Sequence, residues 1–153
     1  MKNKILASIQ SIVVLFMVLF LLTGCGNEDN PVEPHESHNE AEGLLLKAGS
    51  DTLVLVQEAE VKQGKLTVKT GEQTPEISVI FLAPDGDEFT PTEEESSLSL
   101  EFTDTSIAEA AISQEWSFIL QGVKAGQTTV EIQLIHGDHA DFKTPLIPVE
   151  VSD

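Results

Sequence analysis

The histidines of this 153-residue chain share one spacing. All four belong to His-x-x-His pairs: His35 with His38, and His136 with His139. Carboxylates lie close to both pairs, and Asp138 and Asp141 accompany the second pair. Imidazole nitrogens and carboxylate oxygens are ligands that proteins offer to zinc, copper and nickel. The residue types therefore predict a site for a divalent transition metal, with zinc or copper as the candidate ions.

The second pair also has a favourable local geometry. Gly137 and Asp138 separate its two histidines and form a two-residue signal for a hairpin turn. In such a hairpin His136 and His139 face each other across the ladder, with Cβ atoms about 4.5–5.5 Å apart. That separation brings both imidazoles within reach of a single ion.

A wider loop is an equal alternative to this tight hairpin. The tight register would pair Leu134 with Asp141 and place a carboxylate on the apolar face of the sheet. Pro145 and Pro148 follow shortly afterwards, and proline disfavours a long central strand. On this alternative the second pair is solvated loop polarity with Asp138 as a turn former, and the first pair is linker polarity.

The sequence has few side chains or motifs that could support catalysis or bind other ligands. The chain has one cysteine, Cys25, and contains neither tyrosine nor arginine. Its serines lack a nucleophile motif, and no glycine-rich phosphate loop precedes a helix. Two acid clusters, at residues 85–88 and 93–95, do not have the spacing of an EF-hand loop and are interpreted as solvated loop charge. The sequence therefore predicts a protein that is not an enzyme.

The elements that must position these residues are strands, because apolar residues alternate with polar ones from Gly43 onward. The alternating runs lie at residues 44–47, 53–56, 66–70, 77–81, 98–102, 116–120, 130–134 and 147–151. Residues 48–51 predict a hairpin between the first two runs, and residues 107–112 are the one stretch with a helical pattern. Short strands separated by turns predict an all-β fold, a single Ig-like β-sandwich with a mainly aliphatic core.

The N-terminal residues have the organisation of a secretory signal peptide. Lys2 and Lys4 precede an apolar run at residues 12–22, and the small residues Thr23 and Gly24 follow it. The run is shorter than the about 20 apolar residues that a membrane-spanning helix needs. A cleaved signal is therefore expected rather than a permanent span.

The order Leu-Thr-Gly-Cys at residues 22–25 resembles the lipobox of bacterial lipoproteins. The resemblance implies that Cys25 receives a diacylglyceryl group and that a peptidase removes residues 1–24. Two or more acyl chains hold a protein stably on a membrane. Gly26 stands where the family uses Asp for retention in the inner membrane. The resemblance therefore implies a lipid-anchored protein of the cell envelope, at the outer membrane, on either face.

The charge of the chain limits its partners. Loss of residues 1–24 leaves 129 of the 153 residues, with six lysines and 26 acids, so the formal charge falls from −18 to −20. Nucleic-acid binding depends on neutralising phosphates with cations, and this charge excludes it. The expected partners are the membrane through the lipid anchor only, a metal ion, and an envelope protein or glycan.

Composition divides the chain into three parts. Residues 1–24 are the lipoprotein signal peptide, residues 25–42 are the lipidated cysteine with an acidic tether, and residues 43–153 are the sandwich with its N-terminal hairpin. The tether contains no aromatic residue and one β-branched residue. It cannot bury enough apolar surface to offset the loss of chain entropy, so it is predicted to be disordered.

Three segments of the sandwich resemble the bacterial immunoglobulin-like modules of intimin- and invasin-type surface proteins. They are residues 66–72, with Leu-Thr-Val before Gly-Glu, residues 104–109, Asp-Thr-Ser-Ile-Ala-Glu, and residues 118–130, which contain Gly-Val-Lys-Ala-Gly. The resemblance implies a structural spacer or binding unit. Gly122 and Gly126 are predicted to supply positive-φ positions of a corner between the sheets, with Ala125 beneath it. The single copy, the hairpin at 44–56 and the loop at 136–145 depart from the family.

Two functions are compatible with these features. The first is a lipid-anchored, non-enzymatic binding module of the cell envelope that holds a divalent transition metal through its two His-x-x-His pairs. The second is a structural or adhesive Ig-like module that binds a protein or a glycan. The two differ in whether the histidines coordinate an ion.

The lipobox interpretation predicts the effect of Cys25→Ser. The substitution removes the thiol that lipidation requires, so the protein should carry no acyl chain and its precursor should remain uncleaved. Growth with a labelled fatty acid, followed by isolation of the protein, measures this directly. Label that persists on the Cys25→Ser variant would contradict the interpretation.

Overall fold

Strands form where the sequence alternates, because alternation gives each strand one face for the core. The computed structural model describes residues 40–153. The predictions for the signal peptide, for Cys25 and for His35 and His38 concern the chain outside these described residues. Within residues 40–153 every regular element is a strand, and no helix there has the length and apolarity of a membrane span.

The described residues contain twelve strands, numbered in chain order. They are β1 Gly43–Ala48, β2 Asp51–Gln57, β3 Glu60–Gly64, β4 Leu66–Lys69, β5 Ile77–Leu82, β6 Glu88–Phe89, β7 Ser96–Phe102, β8 Ala108–Gln114, β9 Ser117–Gly122, β10 Gly126–His136, β11 His139–Lys143 and β12 Ile147–Ser152. β1 and β2 form the predicted hairpin. The helix predicted at residues 107–112 is wrong, because so short a helix is marginal in isolation and the segment instead pairs with β9.

Two sheets pack face to face, which confirms the predicted all-β sandwich. The first sheet has the order β3-β2-β1-β5-β9-β8, with β6 paired to β5. In the second, the long strand β10 pairs with β7 along one edge and with β12 and β11 along the other. β12 also pairs in parallel with β4. The two sheets of the sandwich thus have seven and five strands.

The core between the sheets is mainly aliphatic, as predicted, and Phe81 and Phe118 are its fully buried rings. Alternate residues of β10, among them Val130 and Ile132, are completely buried. Burying a side chain of this size contributes about 1.5–3 kcal/mol to stability. Trp116 is half-buried at the edge of the core, where its ring meets Phe81 edge-on at a centroid distance of 5.6 Å.

Two glycines shape the corner between β9 and β10. A Cβ atom at Gly122 would lie 2.3 Å from the carbonyl oxygen of Lys69, so this glycine permits the close approach of two backbone segments. The prediction of a positive φ at Gly122 is wrong; of the two glycines, Gly126 has the positive φ, at 157°. Ala125 is exposed and does not pack beneath the corner. Ile107 does so instead, 3.2 Å from the position of a Cβ atom on Gly126.

Contacts with the sandwich begin before the first strand. Ala41 packs against the core, and the amide of Glu42 donates a hydrogen bond to the carbonyl of Leu82 at 2.8 Å. These contacts fix the point at which the chain enters the sandwich, beside the end of β5.

The close approach at Gly122 predicts a large cost for Gly122→Ala. A methyl group would collide with the backbone of β4, which cannot rotate away as a flexible side chain can, so we expect a loss of more than about 1 kcal/mol. Urea denaturation measures the change. The control is Gln127→Ala, at an exposed position near the same corner, which should change stability by less than about 0.5 kcal/mol. Equal midpoints for both variants would contradict this account of the corner.

Candidate metal site at the hairpin end of the sandwich

The tight hairpin is the alternative that forms between β10 and β11. His136 pairs with His139, as the two-residue turn signal predicts. The alternative prediction of a wider loop is therefore wrong. Gly137 has a φ of 58°, which glycine adopts at little cost and which primed hairpin turns require at their first central position. Its amide also donates a hydrogen bond to the carbonyl of Glu95 at 3.1 Å. The turn is thus held by Glu95, just before β7, as well as by its own geometry.

A β-bulge resolves the register conflict that the tight hairpin would create. Ile135 pairs with Ala140, but Leu134 pairs with Phe142, so Asp141 is an extra residue on β11. The extra residue brings Phe142 instead of a carboxylate to the apolar face. There the ring of Phe142 packs against the core and meets Phe81 edge-on at a centroid distance of 6.0 Å.

Thr144 supplies hydrogen bonds to β10 at the point where the pairing partner of β10 changes from β11 to β12. The strand β11 ends at Lys143, and the buried Thr144 hydroxyl accepts a hydrogen bond from the amide of Ile132 at 2.9 Å. The amide of Thr144 donates in turn to the carbonyl of Ile132 at 3.0 Å. A buried backbone group without a partner is costly, so this exchange allows the chain to turn at Pro145 beside the core.

The hairpin and its bulge bring together His136, His139 and Asp141. His139 Nε2 lies 2.9 Å from Asp141 Oδ1, and His136 Nδ1 lies 3.4 Å from Asp141 Oδ2. The two imidazole ring centroids are 5.9 Å apart. One potential ligand atom from each of the three residues lies within 4.8 Å of the others. Two nitrogens and an oxygen at this spacing can share one ion, so we call these three residues the hairpin triad.

The fold holds the three residues of the hairpin triad to different extents. His136 lies on β10, which is paired with β7 on one edge and with β11 on the other, and its side chain is 32% exposed. His139 and Asp141 lie on the short strand β11 and are 66% and 42% exposed. One candidate ligand therefore lies on a strand that is paired on both edges, and the other two lie on a strand that an ion can reach from solvent.

Asp138 belongs to the site but not to the hairpin triad. Its carboxylate is fully exposed on the turn, with Oδ1 3.5 Å from His139 Nδ1. This is the ring nitrogen of His139 that does not face Asp141. A carboxylate on the second nitrogen of a ligand imidazole orients the ring and fixes its tautomer. The geometry thus suits Asp138 to orient His139, and its predicted role as a ligand stays a prediction.

A cavity of about 550 Å³ opens beside the hairpin triad at the end of the sandwich. Its walls include His136 and Asp141. The remaining lining is an apolar group, Ala41, Phe89, Pro91 and Leu134, and a polar group, Glu40, Glu42, Glu93 and Ser96. The sequence did not identify the glutamates as part of the site, because they come from distant segments and carry no local signal. The cavity adds further carboxylates to the surroundings of the hairpin triad.

The acid cluster at residues 85–88 is a turn, as the sequence predicts. Asp85 Oδ1 accepts a hydrogen bond from the amide of Asp87 at 3.1 Å. Glu88 pairs with Lys47 at 2.9 Å. These carboxylates are occupied with local structure, which agrees with solvated loop charge rather than an ion site.

The matches of this chain among known proteins are distant structural ones. No model of a known protein family matches the chain, and no curated protein matches it. Among solved structures, it is similar to domains 4 and 5 of the S-layer protein SbsC, with 20% identity, a TM-score of 0.43, and coverage of 73% of this chain and 66% of that chain. Domains 5–6 of the same protein match with 19% identity, a TM-score of 0.43, and coverage of 64% and 44%. The resemblance to intimin- and invasin-type modules stays a prediction.

The bulge predicts that Phe142, and not Asp141, contributes to the core. Phe142→Ala should lower the free energy of unfolding by more than about 2 kcal/mol, because the substitution leaves a cavity against Phe81. Urea denaturation is the measurement. Asp141→Ala is the matched control on the neighbouring residue and should have the smaller effect. A hairpin without the bulge would reverse this order.

Proposed function

We propose that this chain is a non-enzymatic lipoprotein of the cell envelope whose sandwich binds a divalent transition metal. In this proposal the lipid on Cys25 holds the protein at the outer membrane. The observation that carries the metal assignment is the hairpin triad, with ligand atoms of His136, His139 and Asp141 within 4.8 Å of one another. The expected ions are zinc and copper, since imidazole suits both.

The electrostatic setting supports cation binding at this place. Three glutamates, Glu40, Glu42 and Glu93, line the cavity beside the hairpin triad. The full chain has a formal charge of −18, so its surface concentrates cations in general. Diffuse attraction of this kind weakens as salt rises, because exposed charges interact over only about 10 Å at 0.1 M ionic strength. Coordination by the hairpin triad would persist at high salt, which separates the two kinds of binding.

Copper should bind more tightly than zinc at such a site. Affinities of nitrogen and oxygen ligands for divalent ions rise along the first transition row to copper and fall again at zinc. Ligand imidazoles must also be neutral. Protons therefore compete with the metal for the imidazole nitrogens, and metal affinity should decrease as the pH falls.

The second candidate function is a structural or adhesive module that binds an envelope protein or a glycan. The length of the sandwich favours it. The segment before β1 lies at the cavity beside His136, whereas Val151 pairs with Gly126 at the opposite end of β10. Strand β10 has eleven residues, so about 33 Å lie between these ends at a rise of about 3.3 Å per residue. A module with this layout can hold a partner away from the membrane.

A metal titration distinguishes the two functions. Calorimetry of zinc and copper binding to the full chain should show binding at about 0.1 M and at about 1 M salt, where the screening length is only about 3 Å. His136→Ala/His139→Ala should remove the component that survives high salt. The control, Asp85→Asn/Asp87→Asn, removes two charges from another turn and should change the salt-sensitive component alone.

The outcome for the wild type decides between the proposals. Salt-resistant binding that the histidine variant loses supports the metal site. A wild type with no salt-resistant binding leaves the structural or adhesive module as the function. Salt-resistant binding that the double variant retains would mean that the hairpin triad is not the site.

A further inference from the structure

The hairpin triad supplies three potential ligands, whereas structural zinc sites are almost always four-coordinate. One side of the triad faces the cavity at the end of the sandwich, because His136 and Asp141 line that cavity. The polar side chains on the other walls of the cavity are therefore placed to supply a fourth ligand.

Glu93 is the carboxylate of this cavity that the sheet brings beside His136. Ser96 pairs with His136 in the ladder between β7 and β10. Directly opposite side chains share one face of a sheet, with Cβ atoms about 4.5–5.5 Å apart. The hydroxyl of Ser96 donates a hydrogen bond to Glu93 Oε2 at 3.5 Å. The carboxylate of Glu93 and the imidazole of His136 thus lie on either side of the same serine.

Hydrogen bonds hold Glu93 in the turn that precedes β7. The amide of Ser96 donates to the backbone carbonyl of Glu93 at 3.0 Å, and the amide of Thr92 donates to its Oε2 at 3.2 Å. Glu93 is half-buried, whereas Glu40 and Glu42 on the same cavity are exposed. A side chain that is already held in this way loses little conformational entropy when it binds an ion.

We propose that Glu93 supplies the fourth ligand and completes the hairpin triad as a site of two histidines and two carboxylates. The inference rests on the proposed metal function and specifies its coordination. Two neutral imidazoles and two carboxylates balance the charge of a divalent ion, which favours binding beside a partly apolar cavity. Strands β7 and β11 lie on opposite edges of β10, so the ion would join the turn before β7 to the hairpin across the central strand.

The first test is a zinc titration of the full chain at about 1 M salt, where diffuse attraction is screened. Glu93→Gln should weaken zinc binding by at least about tenfold, since even outer-shell partners of ligands are worth about 10–100-fold. The glutamine keeps an oxygen that can accept the hydrogen bonds from Thr92 and Ser96, so the turn should persist. His136→Ala/His139→Ala should abolish the salt-resistant binding.

The matched control is Glu94→Gln. Glu94 is the exposed neighbour of Glu93 in the same acid cluster, and its substitution removes the same charge. Glu94→Gln should therefore bind zinc as the wild type does. An equal loss of affinity in both glutamine variants would show that only the local charge matters and would refute Glu93 as a ligand.

The second test asks whether zinc joins the turn before β7 to the hairpin. Hydrogen exchange followed by mass spectrometry reports local opening of each segment. Saturating zinc should slow amide exchange in residues 92–96 and in residues 136–141 of the wild type and of Glu94→Gln. In Glu93→Gln, at a zinc concentration that saturates the weakened site, protection should remain in the hairpin and be lost from residues 92–96.

The outcomes separate this inference from the function on which it rests. If Glu93→Gln binds zinc as tightly as the wild type while the hairpin variant does not bind, Glu93 is not a ligand and the metal function stands. If zinc protects the hairpin of the wild type but leaves residues 92–96 unchanged, the turn before β7 does not reach the ion and the four-ligand site is refuted. If the wild type shows no salt-resistant binding, both proposals fall together.

Discussion

The alternation of side chains along a strand is the constraint on which the hairpin end of this molecule depends. A strand that continued regularly past the His136–His139 pair would turn Asp141 inward and Phe142 outward. One extra residue in β11 reverses this result, because Phe142 then pairs with Leu134 and joins the core. Asp141 remains beside the two histidines. The packing of the core and the assembly of the hairpin triad thus follow from the same irregularity.

The strongest sequence signals were periodicity and turn chemistry, and both gave correct structure. The alternating runs became strands, and Gly137 with Asp138 became the turn between β10 and β11. The conflict between Leu134 and Asp141 was visible in the sequence, but its solution was not. A register conflict can be relieved by a bulge or by a wider loop, and only packing against the rest of the core selects between them.

Other features escaped prediction because their causes are not local. Strand β3 follows a turn in which Glu58 and Ala59 have positive φ values of 52° and 56°, which their residue types do not announce. Lys62 stabilises that turn through contacts of 2.8 Å with both Glu58 and Glu60, and the hydrogen bond with Lys62 lowers the pKa of Glu58. Glycine is needed at position 122 because the backbone of Lys69 approaches it closely from another strand. The sequence indicated this glycine as important, but it predicted a positive φ there instead of the close approach.

The contact between Trp116 and Phe81 makes tryptophan fluorescence sensitive to the packing around Phe81. Trp116 is the one tryptophan of the chain, and its indole packs edge-on against Phe81. Phe81 also meets Phe142, which the bulge carries into the core one residue before the end of its hairpin strand. A displacement of the hairpin alters the surroundings of Phe81 and, through it, the environment of the indole. The intrinsic fluorescence of the unlabelled protein therefore reads out the packing of the strand that carries His139 and Asp141.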